Sequence, residues 1–167
     1  MRLWQPAYIG IGSNLADPAA QVAGAFEQLA RLPDTRLVLR SPLYGSQSLL
    51  SGQPDFVNAV AGVLTTLAPQ ELLRQLQAVE QAAGRPVVHE HWGPRVLDLD
   101  LLVYGRVEST DPELTLPHPG VVARNFVLYP LAAVAPDLEI PGQGRVGTLA
   151  ARVGASGIWL LSDSHPA

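Results

Sequence analysis

The sequence predicts an α+β protein, a ferredoxin-like βαββαβ sandwich with a C-terminal extension. Apolar and β-branched runs that read as strands occur at Ala7–Ile11, Leu37–Tyr44, Phe56–Leu67 and Val96–Tyr104. Two intervening segments, beginning at Pro18 and Pro69, repeat their apolar residues at helical spacing. Turn residues separate the runs in the order β-α-β-β-α-β.

Ala7 to Ile11 alternates small and β-branched groups and ends in Gly12-Ser13-Asn14, a strand leaving into a turn. Asp17-Pro18 reads as an N-cap followed by Pro at the first helical position. Val22, Phe26 and Leu29 then mark one helix face, and Pro33-Asp34 ends the helix after Leu32. Leu37, Leu39 and Pro42-Leu43-Tyr44 form a second strand, and Gly45 to Pro54 reads as a loop. Phe56 to Leu67 is a long strand. The helix from Pro69 carries Leu72, Leu73, Leu76, Val79 and Glu80, with Gly84 as its cap. Arg85 to Arg95 has no periodic pattern and reads as a long surface loop of the kind that carries function. Val96 to Tyr104 is the next strand. Gly105 to Pro119 is turn-rich with a short hairpin, and Ala123 to Val134 is partly helical. After Pro136 only Ile158–Leu161 stands out, as a short strand.

With 167 residues the chain suits one domain, 1–167, with its extension after about residue 138. It has no cysteine, which removes thiol nucleophiles, disulfides and Cys-ligated zinc. The net charge is −4 without a basic run, which argues against a nucleic-acid partner. No apolar run is long enough to span a bilayer, and the N-terminus lacks signal-peptide character, so the expectation is a cytoplasmic protein. All eleven basic residues are Arg. A phosphate-binding Lys of the P-loop or protein-kinase type is therefore excluded, and any phosphate would be held by guanidinium forks.

The sharpest chemical signal is Leu97-Asp98-Leu99-Asp100-Leu101. Residues i and i+2 of a strand share a face about 6.6 Å apart, so the two aspartates point one way and the leucines the other. Paired carboxylates on an apolar strand call for a cation, and Mg²⁺ uses one or two carboxylates and completes its shell with phosphate and water. From spacing alone, a solvated edge strand is the competing reading. His91-Trp92-Gly93-Pro94-Arg95 leads into this strand, so Trp92 could cover a planar ring and Arg95 clasp a phosphate. His118 and Arg124 could add a donor and a charge, although a structural hydrogen bond is the commoner role of a lone His. His89 and His91 have metal-ligand spacing but no third ligand nearby, and a site there is rejected. Gly10-x-Gly12 reads as a strand-end turn, since the third glycine of a dinucleotide fingerprint is missing. Phe56 and Phe126 could sandwich a flat heterocycle whose edge Asn58 reads, or serve as ordinary core aromatics.

Together, Ala7-Tyr8-Ile9-Gly10-Ile11-Gly12-Ser13-Asn14-Leu15, Gln53-Pro54-Asp55-Phe56-Val57-Asn58, Trp92-Gly93-Pro94-Arg95-x-Leu97-Asp98-Leu99-Asp100 and Leu116-Pro117-His118-Pro119 resemble the 6-hydroxymethyl-7,8-dihydropterin pyrophosphokinase family of folate biosynthesis. The resemblance runs from about Ala7 to Leu138. It implies a monomer that transfers pyrophosphate from ATP to the hydroxymethyl pterin and releases AMP. It implies that Asp98 and Asp100 bind two Mg²⁺, with Asp98 also beside the pterin. Arg95, His118 and Arg124 would hold the triphosphate, with Glu80 and Arg85 at further nucleotide positions. Arg85 and Arg95 would act in catalysis, and Leu101 and Thr115 would lie near adenine and ribose. Phe56 and Phe126 would stack on the pterin, Asn58 would bond its edge, and Ser46, Leu49 and Trp92 would line the pocket. The Arg85-to-Arg95 loop would close over both substrates. Four departures stand out: a pterin loop at Gly45-Ser46-Gln47-Ser48 that is one residue shorter and lacks Thr-Pro, Val87 for a loop Arg, Glu113 for a base, and Pro119 for an aromatic. A kinase for another flat alcohol, a binding module and a structural interaction module are the rival readings.

Overall fold

The computed structural model describes residues 2–48, 52–84 and 96–162. Elements follow in the order β1 (Gln5–Ser13), α1 (Pro18–Ala30), β2 (Thr35–Arg40), β3 (Leu43–Ser46), β4 (Phe56–Thr65), α2 (Pro69–Ala82) and β5 (Asp98–Tyr104). They continue as β6 (Ser109–Asp111), β7 (Leu114–Leu116), α3 (Asn125–Val134), β8 (Glu139–Ile140), β9 (Gly144–Arg145), α4 (Val146–Val153) and β10 (Ile158–Ser162). The main sheet has six strands, in the path β10-β3-β4-β1-β5 with β2 also paired to β4, and every pairing is antiparallel.

Period-two alternation gives this sheet two faces. Ala7, Ile9 and Ile11 of β1, Ala59, Ala61 and Val63 of β4, and Leu99 and Leu101 of β5 pack with Val22, Phe26 and Leu29 of α1 and Leu72 and Leu76 of α2. The opposite face carries Val60 and Leu102, which join Leu128 and Leu131 of α3 and Val146 and Leu149 of α4. Each fully buried Leu or Val contributes about 1.5–3 kcal/mol, so the sheet is held from both sides. A bulge sharpens the second face. Ile9 pairs with Leu101 but Tyr8 pairs with Val103, leaving Leu102 as an extra residue on β5. Leu102 and Val103 therefore both join the second core, and Tyr104 returns to the first, where its hydroxyl donates to the Leu67 carbonyl.

The helices start as their residues dictate. The Asp17 carboxylate accepts from the Ala20 N–H at 3.5 Å with Pro18 behind it, and Glu71 accepts from the Ala68 N–H at 2.8 Å at the start of α2. Gly84 lies one residue beyond the Ala83 cap with φ +104°, the left-handed conformation that suits glycine after a helix.

Four expectations need correction. The second strand is two strands, broken at Ser41-Pro42, because Pro lacks the N–H needed to continue a ladder. Gly45 and Ser46 belong to β3, not to a loop. The indole of Trp159 in β10 lies on Gly45, where a methyl group would run into the ring, so this glycine marks a close approach. Gly10 and Gly12 lie inside β1, not in a turn at its end. Finally, residues 137–162 form a hairpin, α4 and β10, more than the one short strand expected at Ile158, which is present. The hairpin expected within 105–119 is β6–β7. Among the described residues no helix is long and apolar enough to cross a membrane.

Candidate active site

The second sheet face is core only along part of its length. Val60 on β4 and Leu102 on β5 meet α3, and the residues two and four places toward Phe56 and Asp98 leave its cover. There Phe56 and Asn58 of β4, Gly10 and Gly12 of β1, and Asp98 and Asp100 of β5 line an open cleft. Ser46, Gln47, His118, Arg124, Phe126 and Val127 complete its lining.

The two aspartates share this face. Asp98 pairs with Gly12 across the β1–β5 ladder and Asp100 with Gly10. Both glycines line the cleft; a Cβ on Gly12 would sit 3.7 Å from Asn58 Oδ1 and 4.0 Å from Phe56, and one on Gly10 would sit 3.3 Å from Leu102. Leu99, between the aspartates, faces the other core, and its N–H donates to Glu80 Oε2 at 2.7 Å. Glu80 is buried and takes up the outer edge of β5, the last strand of the sheet. It thereby fixes the backbone from which both aspartates project.

His118 comes to the cleft on the chain after β7. Its own N–H donates to the Leu102 carbonyl at 2.8 Å, which pins this segment on β5. Its Nδ1 accepts the Gly120 N–H at 3.1 Å. In the neutral ring the proton must then be on Nε2. That nitrogen faces Asp100 Oδ1 at 3.9 Å, too long for a direct hydrogen bond but close enough for both groups to meet one ligand. Burial, and then the charge of Arg124, push the imidazole below its ordinary value, against a smaller opposite pull from Asp98. The Arg124 guanidinium lies 6.0 Å from the centre of the Phe126 ring.

Asn58 is buried, and its Nδ2 lies 2.7 Å from Ser46 Oγ and 3.4 Å from the Tyr44 carbonyl. A carbonyl can only accept, so the NH₂ group faces β3 and Oδ1 faces the Gly12 side of the cleft.

The sequence-derived set thus divides. Asp98, Asp100, His118, Arg124, Ser46, Phe56, Asn58 and Phe126 converge on one cleft. Glu80 supports β5 from beneath. The Leu101 side chain points into the core with α1 and α2, and Thr115 lies on the β6–β7 hairpin with its hydroxyl donating to the Asp111 carbonyl. Leu49, Arg85, Trp92 and Arg95 lie outside the described residues, as do Val87, His89, His91 and the whole expected 85–95 loop. Gly10, Gly12, Gln47 and Val127 also line the cleft; sequence reasoning gives the glycines to a strand-end turn, places Gln47 in the pterin loop without a role of its own and passes over Val127, and the period-two spacing of the glycines is the available signal.

Among the described residues no three His, Asp or Glu side chains gather as an all-protein metal cage. A pair of carboxylates beside an open cleft instead suits a cation that shares its ligands with a substrate. Asp100 fits this, with about a third of its side chain (36%) exposed.

A sequence model of the family described as 7,8-dihydro-6-hydroxymethylpterin-pyrophosphokinase matches residues 8–136, a span that contains every cleft residue above. The chain belongs to this family. Its similarity to individual pyrophosphokinases agrees. It is 51% identical over 138 residues to the 2-amino-4-hydroxy-6-hydroxymethyldihydropteridine pyrophosphokinase of Pseudomonas aeruginosa, covering 82% of this chain and 85% of that one. It is 44% identical over 153 residues to the pyrophosphokinase of the same name from Methylorubrum extorquens, covering 91% and 96%. Among solved structures, the wild-type HPPK-DHPS of Plasmodium falciparum with pteroate matches with a TM-score of 0.68 at 12% identity. That match covers 91% of this chain but only 43% of the Plasmodium chain, and what it establishes is the pyrophosphokinase fold.

Proposed function

We propose that the cleft over β1, β4 and β5 is where this chain carries out its family's reaction, transfer of pyrophosphate from ATP to 6-hydroxymethyl-7,8-dihydropterin in folate biosynthesis. The chain is an ATP-dependent diphosphotransferase. The observation that carries the siting of the reaction is the convergence of two carboxylates, a neutral His donor and an Arg on one side of a cleft whose other side offers an aromatic ring and an oriented amide.

The division of the cleft suggests the division of the substrates. Phe56 and Phe126 are suited to a flat bicyclic ring, and Asn58 Oδ1 to ring-edge N–H donors. His118 Nε2–H and Arg124 are suited to phosphate oxygens, with Arg85 and Arg95 adding charge and catalytic help from the 85–95 segment. In this reading that segment closes over both substrates, with Leu49 and Trp92 lining the pterin side. Glu80, Leu101 and Thr115 flank the nucleotide. Asp98 and Asp100 would hold two Mg²⁺, which supply positive charge to the phosphate oxygens as charge builds on them.

The reaction forms a bond between the substrate hydroxyl oxygen and the β-phosphorus, the hydroxyl proton passing to solvent with no dedicated base, and breaks the bond from that phosphorus to the α–β bridging oxygen, which leaves with AMP. It asks little covalent work of the protein. The cleft's tasks are to bring hydroxyl and phosphorus into line and to hold donors where charge develops. A fixed amide, a tautomer set by the Gly120 N–H and a strand edge set by Glu80 are preorganised for those tasks. We read the antiparallel βαββαβ sheet as a ferredoxin-like sandwich in one pyrophosphokinase domain, working as a cytoplasmic monomer without nucleic-acid or membrane partners.

The test is to incubate the protein with ATP, Mg²⁺ and 6-hydroxymethyl-7,8-dihydropterin and identify the nucleotide product. AMP and the pterin diphosphate support the reading. ADP would indicate single phosphoryl transfer, and pterin binding without any nucleotide product would indicate a binding module.

A further inference from the structure

Two borders of the aromatic half of the cleft come from distant parts of the chain. Ser46 ends β3 and Gln47 follows it, and Phe126 stands in the first turn of α3. One segment ties them together. The Asn125 Nδ2 donates to the Gly154 carbonyl at 3.0 Å and to the Ser156 carbonyl at 2.8 Å. Three residues beyond Gly154, the Gly157 carbonyl accepts the Gln47 N–H at 3.2 Å, and Ile158 then pairs with Ser46 as β10 begins. Hydrogen bonds at Asn125 and at Gln47, joined by the backbone of 154–157, therefore link the residue beside Phe126 to the end of β3.

We propose that Asn125 is a positioning residue for the pterin half of the cleft, acting through the C-terminal segment. The inference rests on the assignment of that half to the pterin. Asn suits the task for a chemical reason. Both partners are carbonyl oxygens, so the side chain must supply two N–H groups, and an NH₂ group supplies them from one atom. Aspartate has the same shape but would set a carboxylate oxygen against both carbonyls. The tie holds the backbone at Phe126 against the backbone at Gln47, and so fixes the gap into which a planar ring must slide. Arg124, one residue away, carries its charge on a long side chain that tolerates a small shift of its backbone. The phosphate side should therefore respond much less than the ring side.

The test measures KM for the dihydropterin and for ATP, together with Tm, in the full-length wild type, Asn125→Asp and Asn125→Ala. Dihydropterin affinity is also read directly by calorimetry without turnover. The expected result is a dihydropterin KM raised about tenfold, the scale of losing two net hydrogen bonds. The ATP KM should stay within twofold, while the Tm falls by several degrees as the two bonds are lost from the folded state. An unchanged dihydropterin KM in both variants would overturn the role of Asn125, and so would a parallel rise in both KM values. A wild-type protein that forms no AMP would instead remove the assignment of the cleft on which the inference rests.

Discussion

The Asn58 side-chain amide donates to the Ser46 hydroxyl at 2.7 Å, and this bond decides which end of the amide the cleft presents. With Nδ2 committed to β3, Oδ1 is the acceptor left toward Gly12. A ligand edge rich in N–H donors is matched and one rich in carbonyls is not.

Replacement Ser46→Ala should therefore weaken selectivity more than stability. The expected change is a dihydropterin KM raised about 2–10-fold, the worth of one net hydrogen bond, with the ATP KM unchanged. Asn58→Asp should raise the dihydropterin KM further, because a carboxylate oxygen would then face the Tyr44 carbonyl. Steady-state kinetics with each substrate varied in turn checks both.

His118 should stay neutral to lower pH than an ordinary histidine. The direction follows from its burial and from Arg124, and NMR titration of the metal-free protein would read it as an imidazole transition below 6.5. The consequence for stability has a definite sign. The unfolded chain protonates His118 first, so its contribution is complete above the unfolded value and is lost as pH falls from there through the depressed folded value. Replacement His118→Gln should remove that part of the acid sensitivity, measured as Tm against pH.

Glu80 carries a stability prediction. Removing its carboxylate in Glu80→Ala leaves the buried Leu99 N–H without this acceptor, at a cost of about 1–3 kcal/mol. Thermal unfolding should show it as a drop of about 2–4 °C per kcal/mol. Glu80→Gln keeps an acceptor at the same reach and should recover most of the loss.

How far the sequence anticipates this structure depends on the kind of signal. Asp98 and Asp100 were readable because period two is strict in a strand: leucines on the core side force the aspartates onto the other. The Asp17-Pro18 helix start was readable for a similar local reason. Gly45 misled because glycine signals a turn in one context and a close approach in another, and only the Trp159 ring, more than a hundred residues away, decides between them. The glycines at 10 and 12 misled in the same way, since the cleft they line is completed by segments far from them in sequence. The structure of the 137–157 region was hidden because its local elements are short, a two-residue-per-strand hairpin and an eight-residue helix, and its ties to the rest of the fold run to the distant residues Asn125 and Gln47. The support that Glu80 gives β5 was illegible as well. The helical spacing of Glu80 marks it as inward-facing but does not say that a strand edge waits there.

The most direct test of the account is the rate of AMP formation in Asp100→Asn, a replacement close to isosteric, measured across a Mg²⁺ titration beside the wild type. The account predicts a rate at least about 100-fold lower at ordinary Mg²⁺, the scale of losing one preorganised electrostatic contact at a transition state, with Tm little changed. A wild-type rate in that variant, with an unaltered Mg²⁺ dependence, would contradict it.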